Sequence, residues 1–167
     1  AQTDLPDYER RISLACCSED TAADIYWKLD DIRYLDEQSI TGMDSLVTAS
    51  FPRNTEITVI DKNQQELPFI IKYQCVSSSF FPYKVIRPVS GKGKLDAPDE
   101  VIISQEFAHK AFGKEDPTGM IIHLVPTYKE YPEQIKDYKI VGVVTGQDID
   151  CYFPLSMDPY ASFSVGT

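Results

Sequence analysis

Apolar residues recur along this chain with two periods, and the change of period marks its elements. From Arg10 to Cys16, Ile12, Leu14 and Cys16 alternate with polar positions, the pattern of a half-buried strand. Thr21 followed by Asp24 resembles a capping box, and Ile25, Leu29, Ile32 and Leu35 then share one helical face. Lys28, Asp30, Asp31 and Arg33 lie on the opposite face, and Thr41-Gly42 ends the unit. Met43 to Ser50 reads as a second strand carrying Leu46 and Val47. Strand, helix and strand in this order predict a βαβ or split βαβ start.

Pro52 lacks an amide donor and disfavours helix at Phe51, so the chain is expected to change direction over Phe51–Asn54. Thr55–Ile60 and Leu67–Tyr73 predict a hairpin through the Asn- and Asp-containing turn at 61–65. Val89 to Pro98 reads as irregular and exposed. Val101-Ile102-Ile103 is a short strand. Ser104 is a good N-cap for a helix over Gln105–Phe112, with Phe107/Ala111 and Ala108/Phe112 four residues apart. Gly113 is the C′ residue of that helix, and Asp116-Pro117-Thr118-Gly119 is turn chemistry. Met120–Val125 and Tyr138–Val144 predict two further strands, separated by a long loop from Pro126 to Asp137. Ala161–Val165 reads as a last strand. The fold class expected is α+β with two small subdomains: a βαβ unit and a mostly β unit with one short helix. The divisions expected are residues 1–54, a hairpin and irregular connection at 55–99, and 100–167.

Composition narrows the function. In 167 residues, 43% hydrophobic content with 18 Phe and Tyr is ample for a packed core and is not a disordered composition. The formal net charge is −10; the first 61 residues hold 13 acids and 5 bases. That acidic excess argues against a nucleic-acid backbone or an anionic lipid leaflet as direct partner. No run of about 18 apolar residues offers a membrane span, and no signal-peptide pattern is present. The chain opens on Ala1 rather than Met, as a processed start or a segment boundary does. Cys16, Cys17, Cys75 and Cys151 show no C-x-x-C or metal spacing, and free thiols are favoured over a disulfide framework.

Candidate chemistry is sparse. Ser90-Gly-Lys-Gly-Lys94 lacks the phosphate-loop pattern and reads as a surface loop. His109 and His123 have no ligand or base at metal or catalytic spacing. Ser104 has no nucleophile-elbow glycines around it, and N-capping accounts for it. Asp148 and Asp150 form an acidic pair that is either solvated or a weak cation site. Cys16 or Cys75 as a thiolate nucleophile needs a base the sequence does not show. Phe80, Phe81, Tyr83, Tyr128, Tyr131, Tyr152 and Tyr160 fall in or beside loops, where aromatics either bind partners or cover the core.

The run VIISQEFAHKAFGKEDPTGMII from Val101 to Ile122, followed by YKIVGVV from Tyr138 to Val144, resembles the periplasmic core domain of MacB/FtsX-type ABC transporter permeases. Gly42–Val47, Ser77–Phe81 and Cys151–Leu155 resemble further pieces of that family in the same order. The resemblance spans about Ile12 to Ser164 and is densest over Val101–Val144. It implies a non-catalytic extracytoplasmic domain without metal or cofactor, flanked by membrane helices absent from this chain. It also implies that final porter elements beyond Thr167 are missing or reduced. ATP hydrolysis by a cytoplasmic ATPase subunit or domain would drive movement that the domain relays to export or to a periplasmic protein partner. A homodimer is expected in the full-length permease, and no nucleic acid. Contacts are expected from the loops carrying Lys92, Lys94, Tyr128 and Tyr131. Two rival readings are an extracytoplasmic ligand-binding or sensor module, marked by a pocket between subdomains, and a hydrolase with an unrecognised site.

Overall fold

The computed structural model describes residues 13–14, 27–38, 46–124, 135–145, 148–158, 161 and 163–166. Among the described residues, ten strands join one hydrogen-bonded sheet. β1 (Ser13–Leu14) and β2 (Val47–Ser50) flank β10 (Phe163–Gly166), each antiparallel to it. β1 and β2 are therefore parallel with β10 inserted between them, which makes β1, α1 (Leu29–Glu37) and β2 a split βαβ unit. α1 opens at Lys28, whose N–H donates to the Asp31 carboxylate at 2.9 Å. It thus starts later than the pattern at Ile25 suggests; the expected cap at Thr21 and Asp24 lies outside the described residues.

β3 (Arg53–Ile60) and β4 (Glu66–Val76) form the expected hairpin, with Asp61 accepting from the N–H groups of Asn63 and Gln65 across its turn. β2 and β3 both pair with β4. Five residues from Ala49 to Arg53 stand against four from Tyr73 to Val76, so one residue is bulged at Phe51-Pro52. The bend sends the β2 half to β10 and the β3 half to β7 (Ile121–Leu124).

Beyond the bend the sheet closes on itself. β7 pairs β8 (Asp137–Val144), β8 pairs β6 (Glu100–Ser104), β6 pairs β9 (Cys151–Pro154), and β9 returns to β4. Closure leaves no free edge among those six strands. Alternate residues point inward, as the strand period requires. Ile57, Val59, Ile71, Val101, Ile103, Ile122, Ile140 and Phe153 are buried in this interior. At roughly 1.5–3 kcal/mol for each fully buried aliphatic or Phe side chain, this interior is the largest apolar contribution to the fold.

α3 (Gln105–Phe112) links β6 to β7 and buries Phe107, Ala108 and Phe112 against the same interior. Phe107 meets Phe69 edge-on at 5.6 Å. The Ser104 hydroxyl accepts from the Phe107 N–H at 3.1 Å, and Gly113 ends the helix at φ +65°, as the sequence predicts. The opposite face of β6, β8 and β9 is covered by α2 (Phe80–Lys84), which packs Phe80 and Phe81 against Tyr152.

The segment expected to be irregular over Val89–Pro98 begins instead as a strand, β5 (Pro88–Gly91), antiparallel to β8. β8 admits it because residue 142 is glycine: a Cβ there would collide with the Lys92 backbone.

Candidate interaction surface

The loop from Gly91 to Lys94 leaves β5 and is pinned to the sheet by the Lys92 N–H, which donates to the Val141 carbonyl at 2.7 Å. Its two lysines are not free cations. Lys92 Nζ lies 3.1 Å from Asp96 Oδ2 and 3.3 Å from the buried Glu100 carboxylate, and Lys94 Nζ lies 3.4 Å from Asp96 Oδ1. The hydrogen bonds that Lys92 donates to Asp96 and Glu100 raise its pKa, and the bond from Lys92 lowers that of Asp96. Ser90 Oγ approaches Asp116 Oδ1 and Thr118 Oγ1 at 3.2 and 3.3 Å, so the loop borders the Asp116–Gly119 turn. Tyr128 and Tyr131 lie outside the described residues.

A groove of about 340 Å³ opens between α1, the end of β4 and the residues after β9. Leu29, Ile32, Leu95 and Leu155 line it, with Arg33 and Asp96 among its polar residues.

The remaining sequence candidates fall into structural roles. Phe80, Phe81 and Tyr152 are buried core residues rather than exposed contacts. Asp148 and Asp150 are engaged by Lys72: its ammonium meets Asp148 at 2.9 Å and its backbone N–H meets Asp150 at 2.8 Å. His123 pairs Asp137 across β7 and β8 at 2.6 Å, and His109 is exposed on α3. Cys75 and Cys151 are free thiols inside the closed sheet, and burial first of all pushes both pKa values well above the ordinary range. A thiol held protonated is no nucleophile. Among the described residues, no three His, Cys, Asp or Glu side chains are grouped to hold a metal ion, and no helix is long and apolar enough to cross a membrane.

One polar cluster has no counterpart in the sequence reading. Asp158, buried after β9, accepts from the Tyr73 hydroxyl at 3.0 Å and lies 3.5 Å from Arg53 Nη1. These residues are far apart in sequence and match no motif. Only the packing of the bend brings them together.

Against known proteins, no family model matches the chain, and no curated protein sequence matches it. Solved structures do. The periplasmic region of MacB from Actinobacillus actinomycetemcomitans is similar with a TM-score of 0.64 at 16% identity, over 98% of this chain and 78% of that one. The extracellular domain of the noncanonic ABC-type transporter YknZ from Gram-positive bacteria is similar with a TM-score of 0.64 at 20% identity, over 94% and 82%. A domain of a putative permease from Porphyromonas gingivalis gives 0.58 at 14%, over 76% and 56%. The chain therefore has the α+β fold of these periplasmic and extracellular transporter domains.

Proposed function

We propose that this chain is the non-catalytic extracytoplasmic domain of an ABC-type permease subunit, relaying ATP-driven movement to export or to a periplasmic partner. One observation carries the reading: a fold shared with transporter domains over nearly the whole chain, in which the motif order from Val101 to Val144 also resembles theirs. The pairing of β1 with β10 supports it. Ser13 stands opposite Gly166, so the first and last described strands are neighbours, as suits a domain inserted between two membrane segments. The partners are a cytoplasmic ATPase subunit or domain, a second permease copy and a periplasmic protein. The contact surface is the Gly91–Lys94 loop with Tyr128 and Tyr131. Since Lys92 and Lys94 are tied to acids, this loop offers a fixed shape rather than loose positive charge.

The test uses the full-length permease with its ATPase in membranes. Replacing residues 91–94 and 128–131 by Gly-Ser sequence should leave ATP hydrolysis measurable and abolish transport or partner activation. Transport at the unaltered level would refute the contact surface. A full-length protein that neither binds nor depends on an ATPase would refute the function. A second reading, a ligand-binding module, is favoured only by the groove at Leu29, Ile32 and Leu95. Fragment screening by NMR checks it: shifts confined to these residues would support it.

A further inference from the structure

The bend at Phe51-Pro52 is where the small β1–β10–β2 sheet leaves the closed six-stranded sheet, and polar groups gather there. Thr48, Ser50 and Asp158 are three of the five buried polar or charged residues among the described residues. Side chains carry hydrogen bonds that a regular ladder would give to the backbone. The Ser50 hydroxyl accepts from the Cys75 N–H at 2.8 Å, and Gln74 Nε2 donates to the Ser50 carbonyl at 2.9 Å. The Ser77 hydroxyl accepts from the Thr48 N–H, while the Ser77 N–H donates to the Thr48 carbonyl, both at 2.9 Å. Asp158 adds a third chain segment. It lies between β9 and β10 along the chain, and it meets Arg53 on β3 and Tyr73 on β4, which face each other on the closed-sheet side of the bulge. Met157, its neighbour, touches Cys75, sulfur to sulfur, at 3.7 Å.

Apolar contact alone lets sheets slide, whereas buried hydrogen bonds are directional and costly to leave unmade. A bulged ladder is also the weakest point of the long β2–β3/β4 pair. We infer that Asp158 is a positioning residue: with Arg53 and Tyr73 it locks the angle between the two parts of the sheet, so that they move as one rigid body. Resting on the proposed transporter role, this makes the domain a stiff lever. Movement entering through β1 and β10 arrives at the Gly91–Lys94 loop undamped, rather than being absorbed at the bend.

Native-state hydrogen exchange on the 167-residue chain tests the lock. In Asp158→Ala the amides of Thr48, Cys75 and Ser77 should exchange at least tenfold faster. Those of Ile57, Val101 and Ile140 should change only with global stability. Tyr73→Phe, which removes one hydroxyl, should show the same pattern at smaller size and decides the question if Asp158→Ala does not fold. Unchanged junction amides, or one common acceleration at every amide, would overturn the lock; the latter is what a merely structural role gives. This result does not depend on what the chain does in a cell, so it can fail while the transporter reading stands, and the reverse. In the full-length permease, Asp158→Ala should keep ATP hydrolysis and lower transport at least tenfold. Unimpaired transport would overturn the lever.

Discussion

Gly91 and Gly142 stand opposite each other where β5 meets β8. A Cβ on Gly91 would strike the Val141 backbone, and one on Gly142 the Lys92 backbone. The paired absence of side chains lets the loop carrying Lys92 and Lys94 lie flat on the sheet. Gly142→Ala should therefore destabilise the chain by about 1–3 kcal/mol, the cost of overpacking against atoms that cannot move aside. Urea unfolding measures this, and an unchanged midpoint would mean the loop yields.

Phe112 closes the interior from α3 and is buried. Phe112→Ala should cost roughly 3–5 kcal/mol. At roughly 2–4 °C per kcal/mol for a chain of this size, calorimetry would show a drop well outside error.

The stretch containing Phe112 was the most legible part of the sequence. Ser104 and Gly113 bracket α3, and the apolar runs on both sides became β6, β7 and β8 of one sheet. These signals are local: a cap, a C′ glycine, a period. What the sequence hid is long-range. Pro88–Gly91 is too short to show alternation, and it is a strand only because Gly142, far along the chain, leaves room for it. The parallel pairing of β4 with β9 that closes the sheet has no local signature. Phe80, Phe81 and Tyr152 fall in or beside loops, where the sequence leaves partner binding and core covering equally open; packing decides for the core, since they lie on one another. The ion pairs of Lys92 and Lys94 are not visible in the sequence, because Asp96 and Glu100 become their partners only once the loop folds back.

Stability should fall in alkali. Burial raises the pKa of Cys75, Cys151, Tyr73, Tyr138 and Tyr152, with Asp158 adding to the effect at Tyr73. The folded chain thus holds these protons where the unfolded chain releases them, from about pH 8.5 for thiols and about pH 10 for phenols. Their stabilisation is complete below those values and declines as pH rises through them. Each group ionised only in the unfolded chain contributes a loss of about 1.4 kcal/mol per pH unit. Melting temperatures between pH 7 and 11 should be flat at first and then fall ever more steeply. A flat profile to pH 11 would contradict the burial of these groups.

The side of the membrane on which the chain lies is the most direct test of the proposed role. Ile70 on β4 is 76% exposed, whereas Cys75 and Cys151 are fully buried. In the full-length protein with every cysteine except Cys75 and Cys151 changed to Ser, Ile70→Cys is the reporter. A membrane-impermeant maleimide applied to intact cells should label it, and should leave the parent lacking this substitution unlabelled. Labelling that appears only after lysis would place the domain in the cytoplasm and contradict the account.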